Sequence, residues 1–140
     1  MALSLHHGIN VGFSYNRKEA KTHGEGGTLV GAPLKGRVLI LDDVMTAGTA
    51  INEAVSFINA AKDATLVGVC IALDRQERIN DEDERSTVEV VSQRLDVPVL
   101  SVVGLNQIIA FMESRGGYET EITGMKEYRK RYGGSSSIAK

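Results

Sequence analysis

The sequence has little cysteine and no long apolar run, and each shortage argues against a class of protein. The single cysteine, Cys70, cannot form a disulfide within the chain, which favours a reducing compartment. No apolar stretch approaches the ~20 residues that a membrane-spanning helix needs. Residues 1–5 are too short for the apolar region of a secretion signal. We therefore expect a cytoplasmic protein without membrane contact, and we interpret Cys70 as a small core residue rather than a reactive thiol.

The chain also lacks an excess of positive charge. Its 16 basic and 18 acidic residues give a net charge of -2, which argues against a general nucleic-acid binder. At 140 residues the chain has the size of one domain, so it can bury a core without help from disulfides or metals. We predict one domain over residues 1–132 and a flexible tail over residues 133–140, where glycine and serine dominate.

Segments with strand and helix patterns alternate after a loop over residues 16–36 that is rich in glycine and charge. A small hairpin near residues 28–30 is compatible with that loop. Short continuous apolar runs are typical of strands buried on both faces of a parallel sheet, and apolar residues three and four apart indicate helices. The patterns predict strands at 11–15, 37–41, 66–73 and 97–103, and helices at 49–62, 82–95, 105–114 and 120–132. This alternation predicts an α/β fold with a parallel sheet.

Residues 38–50, VLILDDVMTAGTA, combine a buried strand, two carboxylates and a turn that enters a helix. The turn gathers backbone N–H groups, two hydroxyls and a helix N-terminus, which together make an anion site. Gly48 lets a phosphate approach the backbone, and Asp42 and Asp43 lie where a ribose diol or a metal ion would bind. The glycine patterns of Walker and dinucleotide loops are absent. The motif therefore predicts a ribose-phosphate site, and the alternative is an Asp-Asp strand end before an ordinary Thr helix cap.

This motif resembles the phosphoribosyl pyrophosphate (PRPP) motif of type I phosphoribosyltransferases. Two further segments narrow the resemblance to orotate phosphoribosyltransferases. Their sequence resembles the fungal members of that family most. Residues 16–27, NRKEAKTHGEGG, resemble the mobile catalytic loop of that family, and residues 73–78, LDRQER, resemble the strand end that holds the carboxylate of orotate. The resemblance covers residues 9–132 and implies the type I fold, a Rossmann-like parallel sheet flanked by helices.

The resemblance implies transfer of a 5-phosphoribosyl group from PRPP to orotate, giving orotidine 5-monophosphate and pyrophosphate in pyrimidine biosynthesis. It implies Mg²⁺ as the cofactor. The ion would be bound through PRPP, and the candidate protein ligands are Asp42 and Asp43. The residues implied in catalysis are Lys18, Lys21, His23, Asp42 and Asp43. The residues implied in substrate binding are Arg17, Asp42, Asp43, Val44, Met45, Thr46, Ala47, Gly48, Thr49, Ala50 and Arg75. A homodimer is implied as well, in which Lys18 and His23 serve the site of the neighbouring subunit.

Three charged regions each have a plainer interpretation. The planar guanidinium of Arg75 suits a carboxylate and follows a strand that should end beside Asp42, but residues 74–78 would also make a salt-bridged strand exit. The alternative interpretation of residues 16–27 is a charged surface loop in contact with solvent. The basic residues of the last helix favour an amphipathic surface helix over a nucleic-acid patch. His6 and His7 have no third ligand nearby in the sequence, so we expect them to be surface residues.

The sequence departs from the family at its start. The resemblance implies an N-terminal hood over orotate and an upstream strand and loop with a Tyr-Lys-Gly-type turn, and neither is present. Residues 1–7 resemble the end of the helix that follows that loop, so the domain is expected to be N-terminally incomplete. A sheet without its first core strand should leave unpaired edges and exposed apolar surface. A PRPP-binding or regulatory protein without turnover therefore remains an alternative. A second alternative is a purine phosphoribosyltransferase, but Arg75 and loop 16–27 argue against it.

Overall fold

A computed structural model describes residues 1–17, 29–46 and 48–135, and these form an α/β architecture. In chain order the elements are α1 (Ala2–His7), β1 (Ser14–Asn16), β2 (Leu29–Gly31), β3 (Gly36–Val44), α2 (Thr49–Ala60), β4 (Ala64–Asp74), α3 (Thr87–Leu95), β5 (Val99–Gly104), α4 (Leu105–Arg115) and α5 (Glu119–Tyr132). Strands β3, β4 and β5 form a parallel sheet in that order, and β1 and β2 form a separate antiparallel pair. The predicted α/β class with a parallel sheet is confirmed.

The carboxyl ends of the three parallel strands meet at one edge of the main sheet. In the register, Val44 of β3 pairs with Leu73 of β4, and Asp74 of β4 pairs with Gly104 of β5. Ligands of open α/β sheets bind outside the carboxyl ends of the strands. A ligand site is therefore expected at this edge of the sheet.

The hydrophobic core lies on one face of this sheet. Val69 and Ile71 of β4 are each 1% exposed, and they pack with Ile51 of α2 and Val91 of α3. The remaining buried members of this cluster are Ile40, Met45 and Ile58. The apolar spacing that predicted α2 therefore marks the side of that helix that faces the sheet.

The opposite face of the main sheet is apolar but not covered by any of the described residues. Leu41, Cys70 and Leu100 lie side by side across the three strands. Leu41 is 66% exposed, Leu100 is 64% exposed and Cys70 is only half-buried. We call this the open face, and its large apolar members are Leu39, Leu41, Leu100 and Val102. The prediction that these strands are buried on both faces is wrong, as is the interpretation of Cys70 as a core residue. Exposed apolar surface was expected and is present.

Two predicted boundaries are wrong for identifiable reasons. The first strand occupies Ser14–Asn16 instead of residues 11–15, because its length is set by antiparallel pairing with β2. A small hairpin was expected near residues 28–30, whereas the strand there pairs with β1. Helix α3 begins at Thr87 instead of residue 82, because Ser86 caps it. The Ser86 hydroxyl accepts from the Glu89 N–H at 3.2 Å, and the Glu89 carboxylate accepts from the Ser86 N–H at 2.9 Å. This Ser-x-x-Glu capping box is legible in the sequence.

The other helices begin and end close to their predicted positions. α2, α4 and α5 each differ from the predicted ranges by at most two residues at either end. α1 agrees with the helix end expected at the start of the chain. No helix in the described part of the chain is both long and apolar enough to cross a membrane.

The end of the described chain is fixed to the loop that follows β4. The Gly134 N–H donates to the Gln76 carbonyl at 2.9 Å, and the Ser135 N–H donates to the Glu84 carbonyl at 2.6 Å. Residues 133–135, predicted to begin a flexible tail, are instead hydrogen-bonded. Residues 136–140 lie outside the described residues.

We expect the two faces of the sheet to differ in their sensitivity to substitution. Ile71→Ala should lower the free energy of unfolding by about 2–5 kcal/mol, because it leaves a cavity in the core. Leu41→Ala should cost under about 1 kcal/mol, since most of its side chain is already in water. Urea denaturation followed by circular dichroism measures both. Equal costs for the two variants would contradict an open face in solution.

Gly134→Ala tests the docking of the chain end. A Cβ at Gly134 would lie 2.9 Å from the Glu84 carbonyl oxygen and 2.9 Å from the Ser86 nitrogen. Because both atoms belong to the backbone, we expect a loss of about 1–3 kcal/mol in thermal denaturation. The control is Gly124→Ala in α5, where a Cβ meets nothing within 4 Å; this should stabilise the chain by about 0.5–1 kcal/mol. A neutral Gly134→Ala variant would argue that the chain end is not docked.

Candidate active site

Two carboxylates stand at the carboxyl end of β3. Asp42 Oδ1 accepts from the Asp43 N–H at 2.9 Å, and Asp43 Oδ1 accepts from the Val44 N–H at 2.7 Å. Successive side chains of a strand point to opposite faces, so Asp42 lies on the face of Ile40 and the core, whereas Asp43 lies on the open face. Asp42 is half-buried and Asp43 is exposed. The strand therefore brings both carboxylates to one edge of the sheet but presents them to different sides.

The turn after β3 enters α2 through a buried glycine. Gly48 is the N-cap residue with φ 78°, a left-handed conformation that glycine adopts without strain. Among the described residues, no side chain caps the first turn of α2. The exposed hydroxyl residues Thr46 and Thr49 stand on either side of Gly48. Uncapped N–H groups and nearby hydroxyls are the features that suit an anion.

Two of the residues predicted to bind substrate lie among apolar neighbours. Met45 is 6% exposed and belongs to the core cluster, and Val44 is half-buried in β3 beside Leu73. The Met45 side chain anchors the turn to the core, so any contact between Met45 and a ligand would come from its backbone. Ala50, in the first turn of α2, is exposed.

Arg75 leaves the end of β4 at the same edge of the sheet as the two aspartates. Its Nη2 donates to Glu77 Oε2 at 3.0 Å, and its side chain is 31% exposed. Its Nε is buried and has no hydrogen-bond partner among the described residues. A buried donor without a partner costs about 1–3 kcal/mol and is rare enough in native proteins to suggest a functional role.

The same segment also contains the salt bridges of the plainer interpretation. Arg75 pairs with Glu77, and Arg78 Nη2 lies 2.8 Å from Asp81 Oδ1. These pairs fit a salt-bridged strand exit. The binding of a ligand by Arg75 stays a prediction.

Sequence reasoning missed the residues that surround Arg75. The Tyr128 hydroxyl of α5 donates to Glu77 Oε1, and the Asn106 N–H of α4 donates to Gln76 Oε1 at 3.0 Å. Partners 51 and 30 residues apart share no local pattern, so no sequence signal links them.

Four predicted site residues fall outside the described residues, namely Lys18, Lys21, His23 and Ala47. Arg17 is described and is half-buried directly after β1. His6 and His7 are exposed in α1. Within residues 1–17, 29–46 and 48–135, no group of three or more His, Cys, Asp or Glu side chains is placed to hold a metal ion.

Comparison with known proteins identifies the relatives of this chain. It is 52% identical to the orotate phosphoribosyltransferase of Thiobacillus denitrificans over 126 residues, which cover 90% of this chain and 58% of that protein. This chain is a homologue of the orotate phosphoribosyltransferases. The protein of that name from Alteromonas mediterranea is 46% identical over 133 residues, 95% of this chain and 61% of that protein. No protein-family model matches the sequence.

Solved structures of orotate phosphoribosyltransferases share the fold. That of Francisella tularensis superposes with a TM-score of 0.72 at 34% identity, over 94% of this chain and 58% of that one. That of Aeropyrum pernix gives a TM-score of 0.52 at 26% identity, over 82% of this chain and 58% of that one. The type I phosphoribosyltransferase fold is therefore confirmed. The chain spans 58% and 61% of the first two curated relatives. Both come from bacteria, and the leaning toward fungal members has no support.

Asp74 gives the site a pH-dependent feature. Partial burial raises the pKa of its carboxyl above the ordinary 3.8, and the charge of Glu89 adds to this, while the hydrogen bond from the Gln76 N–H opposes it. The folded protein therefore holds this proton more tightly than the unfolded chain. The resulting stability is fully present below about pH 4 and is lost as the pH rises through the folded pKa.

We expect Asp74→Asn to be more stable than the wild type at pH 7, because the amide stays neutral and can still accept from the Gln76 N–H. This advantage should shrink as the pH falls through the raised pKa of folded Asp74 and should be gone below about pH 4. Thermal denaturation of both proteins between pH 3 and pH 8 measures it. A difference that does not vary with pH would show that the Asp74 charge is not the cause.

Proposed function

We propose that this chain transfers the 5-phosphoribosyl group of PRPP to orotate, giving orotidine 5-monophosphate and pyrophosphate in cytoplasmic pyrimidine biosynthesis. The observation that carries the proposal is 52% identity to an orotate phosphoribosyltransferase over 90% of this chain. The placement of Asp42, Asp43 and Arg75 at one edge of the parallel sheet supports it. The reaction is a pentosyl transfer, so the protein must bind two anionic substrates and orient them.

The turn between β3 and α2 is the proposed ribose-phosphate site. The 5-phosphate would accept from the uncapped N–H groups of α2 and from Thr46 and Thr49. Asp42 and Asp43 would accept from the ribose hydroxyls, and their charge would stabilise the positive charge that develops on the ribosyl ring. The rest of the proposed loop consists of Val44, Met45, Ala47, Gly48 and Ala50.

Mg²⁺ is the proposed cofactor. It is bound in proteins through one or two carboxylates together with substrate phosphates. Asp42 and Asp43 fit this chemistry, because in each of them one oxygen accepts a backbone N–H and the other has no hydrogen bond among the described residues. When bound, the ion would offset the negative charge of pyrophosphate.

Arg75 is the proposed ligand of the orotate carboxylate. A guanidinium can donate two parallel hydrogen bonds to a carboxylate, and the partly exposed side chain of Arg75 uses only Nη2 in its bond to Glu77. Displacement of pyrophosphate at the ribose C1 by a ring nitrogen of orotate requires no protein nucleophile. The contribution of this edge of the sheet is to bring the two reactants together in the right orientation.

The proposed partner for the leaving group is the loop that begins at Arg17. Its cations, Lys18, Lys21 and His23, would neutralise the departing pyrophosphate. We propose a homodimer in which Lys18 and His23 act in the site of the neighbouring subunit. Regulatory PRPP binding without turnover is the second candidate function.

Orotate consumption in the presence of PRPP and Mg²⁺ tests the proposal, with adenine and hypoxanthine as alternative bases. We expect turnover with orotate and no turnover with adenine or hypoxanthine. Arg75→Lys should raise the KM for orotate about 10- to 100-fold, since a charge-assisted hydrogen bond contributes about 1.5–3 kcal/mol.

Turnover with a purine base would overturn the assignment of orotate. PRPP binding in calorimetry without turnover would favour the second candidate function. An unchanged KM for orotate in Arg75→Lys would contradict the role of Arg75.

A further inference from the structure

The residue after Arg75 is held in a conformation that few side chains adopt. Gln76 has φ 60°, a left-handed conformation that costs free energy in residues other than glycine. Three hydrogen bonds maintain it. Its N–H donates to Asp74 Oδ1 at 2.8 Å, its carbonyl accepts from Gly134 at 2.9 Å, and its side-chain Oε1 accepts from Asn106 at 3.0 Å. The backbone that carries Arg75 is thereby fixed by a strand, a helix and the chain end.

Glu77 connects the Arg75 guanidinium to α5. Its Oε2 accepts from Arg75 Nη2 at 3.0 Å, and its Oε1 accepts from the Tyr128 hydroxyl. The Glu77 side chain is 19% exposed, so water screens this pair only in part. The Glu77 carbonyl accepts from the Thr87 N–H at 2.8 Å, which fixes the residue at its backbone as well.

We propose that Glu77, oriented by Tyr128, is a positioning residue that aims the Arg75 guanidinium at the carboxylate of the ligand. The identity of that ligand as orotate rests on the proposed function, whereas the positioning rests on the described residues alone. Glu77 engages Nη2 of Arg75 and leaves Nη1 without a partner among the described residues, while the side chain stays 31% exposed. A guanidinium that is already oriented loses less conformational entropy when it binds.

The positioning can be measured without turnover, from the arginine Nε–H signals in the NMR spectrum of the full chain. Arg75→Lys identifies the Arg75 signal by its disappearance. In Glu77→Gln we expect this signal to move toward that of solvent-exposed arginines. We also expect its hydrogen exchange to become about tenfold faster, because the guanidinium loses the charged acceptor that holds it at Nη2 and the buried Nε–H becomes more accessible to water. The matched control is Glu82→Gln, an exposed residue of the same loop that should leave the signal unchanged.

Tyr128→Phe provides a second, milder variant. It removes only the hydroxyl that orients Glu77, and it should change the Arg75 signal in the same direction by a smaller amount. This variant decides the question if the amide spectrum shows that Glu77→Gln does not fold. An Arg75 signal that is unchanged in both variants would overturn the proposal.

Kinetics separate positioning from general support of the fold. Glu77→Gln should raise the KM for orotate about tenfold and leave the KM for PRPP within about twofold, because only the Arg75 side of the site changes. An equal rise in both KM values would assign Glu77 a merely structural role. A wild-type chain that neither binds nor converts orotate would overturn the proposed function, and the NMR comparison would still decide whether Glu77 positions Arg75.

Discussion

The parallel hydrogen-bond ladder that joins β3, β4 and β5 decides where Asp42, Asp43 and Arg75 lie. Because the strands run in the same direction, the Asp42 and Asp43 pair at the end of one strand and Arg75 after the end of the next reach the same edge. Groups that would recognise a ribose phosphate and a carboxylate therefore become neighbours through backbone pairing alone. Contacts from α4, α5 and Gly134 then support the segment that carries Arg75.

The sheet is packed unequally on its two sides. α2 and α3 cover one face, and the open face presents apolar side chains to solvent. Residues 1–13 are exposed as well. The candidate site lies at the edge between a packed face and an open one, which is why Asp42 and Asp43 have different surroundings.

Local patterns in the sequence were enough for the features that local chemistry creates. The strand and helix order, the entry into α2 at Gly48 and the position of Arg75 after a strand all follow from spacing within a few residues. Exposed apolar surface was expected, but the face on which it lies could not be predicted, since an apolar run such as residues 37–41 reports hydrophobicity but not what packs on it. The contacts of Gln76 with Asn106 and of Glu77 with Tyr128 were also missed, because they join distant parts of the chain. The capping box of Ser86 and Glu89 is a local pattern and marks the start of α3.

The hydrogen bond from Gly134 to Gln76 joins the last described turn of the chain to the segment that carries Arg75. Proteolytic trimming at this end would therefore release the backbone behind Arg75, while the β3–α2 turn would keep its own supports in the core. On the proposed function, loss of residues 133–135 should then weaken selection of the base before it weakens capture of the sugar phosphate. The backbone that carries Arg75 is supported by a segment that is remote in sequence from the turn between β3 and α2.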